Sequence, residues 1–144
     1  MGVKGGLEMN TADFDIRFPA VRKEIQGLTG RAAMRVGSIV IRDSIKEEPR
    51  APHLTGALKR SKAILKWQDD ERATEVRVGF QIEYAAYQHE GLSMAGVPLK
   101  YKKPGSGAKF MSTKLVRNAD RYRRYMADFI ATKGTATPPG GTED

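Results

Sequence analysis

Cysteine is absent from the 144 residues. That absence excludes disulfide staples, thiol nucleophiles and thiolate metal sites together, so the fold has to be held by its core or by a partner. Long apolar runs are missing too: none approaches the ~18–20 residues that a membrane-spanning helix needs. The opening Met1-Gly2-Val3-Lys4-Gly5-Gly6 carries no apolar stretch of the secretory type and no Ser or Thr at position 6 for myristoylation. The expectation is a chain made in a cytoplasm, with no membrane partner. Histidine occurs only as His53 and His89, far apart and without metal-ligand spacing around either. Acidic residues are also in short supply, 17 against 25 Lys and Arg, for a net charge of +8 and a pI near 9.8. Such a positive field attracts polyanions and aids solubility, but it permits a nucleic-acid partner without requiring one.

What is present is ordinary for a globular chain, with 40% hydrophobic and 29% charged residues in a length that suits one domain. Residues 1–17 are Gly-rich and polar without a sustained period, and read as a flexible arm. Pro19 suits the first turn of a helix. Phe18, Val21, Ile25, Leu28, Ala32, Val36, Ile39 and Val40 then recur at steps of three and four, predicting an amphipathic helix to about Lys46, with a hitch or break at Gly27 and Gly30. Glu47-Glu48-Pro49-Arg50-Ala51-Pro52 ends it, because residues before proline resist the helical region. Residues 53–61 read as a loop with at most one helical turn. Ala63–Gln68 and Thr74–Phe80 read as two strands of an antiparallel hairpin about the polar turn 69–72, with Val76, Val78 and Phe80 on one face. Tyr84–Gly91 is either a short helix closed by Gly91 or a further strand. Residues 92–109 form a long loop rich in glycine and lysine, a length usually tied to function or disorder.

The clearest element comes last. Met111, Leu115, Ala119, Tyr122, Met126, Phe129 and Ile130 share one sector at ~100° per residue, while Lys114, Arg117, Arg121 and Arg124 lie opposite. This predicts one helix over 112–131 with an apolar face and a basic ridge. Residues 133–144 are too poor in apolar groups to pack and read as a flexible tail. The expected architecture is α+β: a small antiparallel β-sheet packed by the long N-terminal helix and the C-terminal amphipathic helix, within one domain over 18–132.

Catalytic signals are weak. His89 beside Glu90 could act as a base and its orienting acid, or stand as an exposed pair or hydrogen-bonded interface histidine. Gly105-Ser106-Gly107-Ala108-Lys109 lacks both the spacing and the following Ser or Thr of a phosphate loop. Asp69, Asp70 and Glu71 are adjacent acids in a turn, where carboxylates are normally solvated. No catalytic, metal or cofactor site is expected, and no enzyme activity. The basic ridge reads as a solvated face, a contact for an acidic subunit, or a phosphate contact; no aromatic residue interleaves with it to stack bases. Tyr84 and Tyr87 suit a core edge and an interface equally, the ring being apolar and the hydroxyl polar.

Three ordered landmarks carry a resemblance: Thr55-Gly56-Ala57-Leu58-Lys59-Arg60-Ser61; Val76-Arg77-Val78-Gly79 leading to Tyr84-Ala85-Ala86-Tyr87-Gln88-His89-Glu90-Gly91; and Gly107-Ala108-Lys109-Phe110-Met111 before a final helix. Over residues 20–131 the chain resembles the head–tail joining, tail completion or neck proteins of long-tailed bacteriophages. It departs from their pattern at Gln88-His89-Glu90, where an apolar contact is expected to be lost, and at Ala108-Lys109-Phe110, which lacks a proline and predicts a looser approach to the last helix. The resemblance implies a non-catalytic virion protein, assembled in the host cytoplasm. It would form a ring of identical copies, six-fold in the tail, between the head connector or head-closure protein and the tail tube or tail terminator protein. DNA would pass through the lumen without sequence specificity. On that expectation Tyr84, Tyr87, His89, Leu99, Tyr101 and Phe110 face a neighbouring subunit. Lys100, Lys102, Lys103, Lys114, Arg117, Arg121 and Arg124 face the DNA channel or an acidic partner. Loop 92–109 and both termini make contacts between subunits or rings. The competing expectation is a small basic DNA-binding accessory protein.

Overall fold

A computed structural model describes residues 11–52, 56–69 and 74–140. The elements run α1 (Thr11–Lys46), α2 (Ala57–Arg60), β1 (Lys62–Asp69), β2 (Thr74–Phe80), α3 (Ala85–Glu90), α4 (Ser112–Arg117) and α5 (Ala119–Ala131), an α+β arrangement. Residues 1–10, His53 to Thr55, the turn 70–73 and residues 141–144 lie outside the described residues, and with them part of the expected arm, tail and acidic turn.

Helix α1 begins seven residues before the expected start, at Thr11 rather than residue 18, so Pro19 sits inside it and not in its first turn. A proline there forfeits one backbone hydrogen bond. The helix also continues through Gly27 and Gly30 without a break. Its stripe is buried from Leu28 onward, where Leu28, Ala32, Ile39 and Val40 pack with Tyr122, Tyr125 and Phe129 of α5. Val21 and Ile25 continue the same stripe toward the N-terminus but are exposed, so the first turns of α1 overhang the core.

Strands β1 and β2 pair antiparallel from Lys62↔Phe80 to Asp69↔Thr74, with an irregularity between Lys66 and Gln68. Among the described residues the sheet has these two strands alone, and both outer edges are unpaired. One face lies on α1 at Gly37. A Cβ there would stand 2.7 Å from Val78 Cγ1 and 3.2 Å from Ile64 Cγ2. The helix can approach the sheet this closely only because that position has no side chain.

A second, smaller core gathers Ala51, Leu58 and Phe110, with Ile45, Phe80, Ile82 and Ala85 around it; Met111 touches both cores. Two expectations for the C-terminal region are corrected. The last helix is two helices, α4 and α5, separated at Asn118. Residues 133–140 do not hang free: Ala136 packs on the main core, Gly134 N–H donates to Phe129 O at 2.7 Å, and Arg42 donates to Pro139 O at 2.7 Å. A few backbone bonds and one small apolar contact suffice where the body supplies the partners.

Candidate functional site

The three landmarks meet around Phe110. Leu58 of α2, Phe80 at the end of β2 and Ala85 of α3 all pack on its ring, and Phe80 meets it edge-on at 5.8 Å between centroids. His89 completes the enclosure, also edge-on, at 5.1 Å. The His89 ring has a fixed tautomer: Nε2 accepts the Ser112 N–H at 3.3 Å, which leaves Nδ1 to donate to Glu90 Oε1 at 3.1 Å. It therefore spans α3 and the start of α4. The Lys109 ammonium contacts Glu90, and hydrogen bonds from Lys109 and then His89 hold that carboxyl below the usual carboxylate range. Lys109 itself has a left-handed backbone (φ 56), and its N–H donates to His89 O at 2.6 Å. The approach to the last helices is thus tied down, not loose. Tyr84–Gly91 resolves as helix α3 closed by Gly91 at φ 73, where a Cβ would stand 2.8 Å from the Ala108 Cβ.

The expected basic ridge is dismantled by its surroundings. Lys114 is fully buried (0% exposed), and its Nζ donates to Pro49 O at 2.8 Å. Desolvation lowers its pKa, and the neighbouring Arg117 charge adds to that. Arg117 donates to Glu47 Oε2 at 3.3 Å and Glu48 O at 3.0 Å, and Arg121 to Asp43 Oδ2 at 2.6 Å and Glu47 Oε1 at 3.2 Å. Asn118, at the break between the helices, donates to Glu47 Oε2 at 3.1 Å and to the Tyr122 hydroxyl at 3.2 Å. Buried Asp43 also takes Arg42 and the Tyr122 O–H, at 2.9 and 2.8 Å. Burial raises the Tyr122 pKa to about 12, with Asp43 beside it adding to the rise. For Glu47, burial works upward but is outweighed by hydrogen bonds from Asn118, Arg121 and Arg117, and its carboxyl stays below the ordinary value. The basic side of α4 and α5 is a clasp on the last turn of α1. The sequence reading missed its acidic half; Asp43 and Glu47, four apart where α1 ends, were the available signal.

The other expected contact residues are dispersed. Phe110 is 1% exposed and belongs to the core, so it offers nothing to a partner. Tyr84 and Tyr87 are each 39% exposed and lie outside both cores. Tyr101 is half-buried, donating its hydroxyl to Gln88 O at 2.7 Å. With Leu99, Lys100, Lys102, Lys103 and Ser106 it lines a hollow of about 150 Å³. Arg124 is exposed on α5, away from those lysines in sequence.

Loop 92–109 is anchored at both ends. Leu92 bridges Pro98, Ser93 N–H donates to Val97 O at 2.7 Å, and Ser106 bridges Arg50. Its tip presents Met94 and Val97 to solvent, Met94 at 84% exposure, and no motif had drawn attention to either. A second open feature is a groove of about 550 Å³ between α1 and β1, with Ile41, Ile45 and Ile64 in it and Arg42, Lys46 and Lys62 at its margins. Among the described residues no three acidic or histidine side chains gather as metal ligands, and no helix is long and apolar enough to cross a membrane. No family model, curated protein or solved structure matches this chain.

Proposed function

We propose that the protein is a structural subunit of the bacteriophage neck, one copy of a homo-oligomeric ring that joins the head connector to the tail tube around the DNA passage, without catalysis. One observation carries the reading. Gly56–Ser61, Val76–Gly79, Tyr84–Gly91 and Ala108–Met111, the segments of the resemblance that lie far apart in sequence, converge on the single ring of Phe110. Segments that support one another in space behave as a unit and not as chance matches. The exposed apolar tip of loop 92–109 and the two unpaired sheet edges fit a part whose surfaces are completed by neighbours.

The tip supplies the test. Met94→Asp with Val97→Asp changes exposed side chains only, so the thermal midpoint is expected to hold while head–tail joining fails in phage carrying the pair. Particles of normal infectivity would refute the assignment.

The DNA-binding alternative is weakened by the clasp, because Lys114, Arg117 and Arg121 are turned to α1. Of the seven expected cations, Lys100, Lys102, Lys103 and Arg124 stay exposed. Four phosphate contacts give a log–log salt slope of at most about −3.6 on duplex DNA. A markedly steeper slope would favour the alternative.

A further inference from the structure

The groove between α1 and β1 combines an apolar floor with a one-signed rim. Ile41, Ile45 and Ile64 form the floor; Arg42, Lys46 and Lys62 stand at the rim, and no acidic side chain lines it. Its complement is a segment bearing both apolar and acidic residues. In a chain of net charge +8, one stretch has that character. Residues 7–16, Leu-Glu-Met-Asn-Thr-Ala-Asp-Phe-Asp-Ile, carry Glu8, Asp13 and Asp15, no base, and Leu7, Met9, Phe14 and Ile16.

A chain cannot fill its own groove with this stretch. Thr11 starts α1 and Ser38 marks the near end of the groove on the same unbroken helix. At ~1.5 Å per residue they are ~40 Å apart. The ten residues before Thr11, drawn out fully, span at most ~35 Å. Only another molecule can bring the segment there.

We infer that residues 7–16 of one copy occupy the α1–β1 groove of the next. The contact joins two different patches, so it is head-to-tail and propagates from copy to copy until it closes into a ring or runs on as a filament. It rests on the ring reading above and names the joint through which such a ring would close. The exposed Val21 and Ile25 lie just behind the inserted segment, where α1 leaves its own core.

Because the chain has no cysteine, engineered ones report the contact without background. Full-length Met9→Cys and Ser38→Cys proteins, mixed under mild oxidation, are expected to give a linked heterodimer faster than either protein alone gives a homodimer. Lys46→Glu with Lys62→Glu in the Ser38→Cys copy is expected to slow linkage about tenfold. Asp13→Lys with Asp15→Lys in the other copy should restore it. Mixed linkage no faster than self-linkage, or indifferent to the charge reversals, overturns the contact. So does efficient linkage within one chain carrying Glu143→Cys and Ser38→Cys. Gly140 lies against Arg42, and that result would give the groove to the chain's own acidic C-terminus. Closed rings seen by electron microscopy without the mixed linkage would end the arm contact and leave the ring. Mixed linkage that never yields closed rings would do the reverse.

Discussion

Replacing Asp43 by alanine tests whether the clasp holds the C-terminal helices to α1. The carboxylate is 2% exposed and takes hydrogen bonds from three side chains: Arg42, Arg121 and the Tyr122 hydroxyl. Their losses differ. Arg121 is more than a third exposed and keeps Glu47, so screening leaves its share small. Arg42 keeps Pro139 O but loses its paired contact in a largely buried position. Tyr122 keeps the Asn118 donor and loses the only acceptor printed for its own proton, at about 1–3 kcal/mol for a buried donor left unmade. Together these come to about 3–4 kcal/mol, the range for removing one member of a buried pair. Against the ~5–15 kcal/mol of a typical domain that is a large fraction, and at ~4 °C per kcal/mol it lowers the thermal midpoint by about 12–16 °C. Urea unfolding of Asp43→Ala, Tyr122→Phe and the double variant measures both the total and the coupling, which should exceed ~1 kcal/mol for a shared hydrogen bond. A loss below ~1 kcal/mol for Asp43→Ala, or strict additivity, would refute the clasp as a stabilising device.

Two further outcomes follow from the same geometry. Tyr122 titrates at about 12 when folded, against 10.0 when free, so the unfolded chain gives up this proton first. Its contribution is whole below pH 10 and declines by about 2–3 kcal/mol as pH rises from 10 to 12; urea midpoints across that window should fall, and Tyr122→Phe should flatten the fall. Gly37→Ala places a methyl 2.7 Å from Val78 Cγ1 and is expected to cost about 1–3 kcal/mol by overpacking, with Val78→Ala restoring part of it in thermal melts.

Much of the fold was legible because it is local. The stripe of α1, the alternation of Thr74–Phe80 and the apolar sector of 111–130 each repeat at the period of one element, and that period is visible in any short window. The boundaries that went astray depend on longer reach. Pro19 looked like a start because proline is favoured there, yet the helix reaches back to Thr11. The break at Asn118 is set by a side chain that must meet Glu47 on another helix. The tail looked unpackable by composition, but Arg42 and the main core hold it.

The sequence by itself determined the element types, their order, the α+β class and the absence of thiol chemistry. Only the tertiary structure decided which side of the last helices is inward for the cations. On a helical wheel Lys114, Arg117 and Arg121 belong to the polar face, and polar faces ordinarily meet water. Here the carboxylates of Asp43 and Glu47 and the carbonyl of Pro49 arrive from the far end of α1 and receive them. A charge can leave water only where a partner waits, and partners separated by some seventy residues are brought together by folding alone.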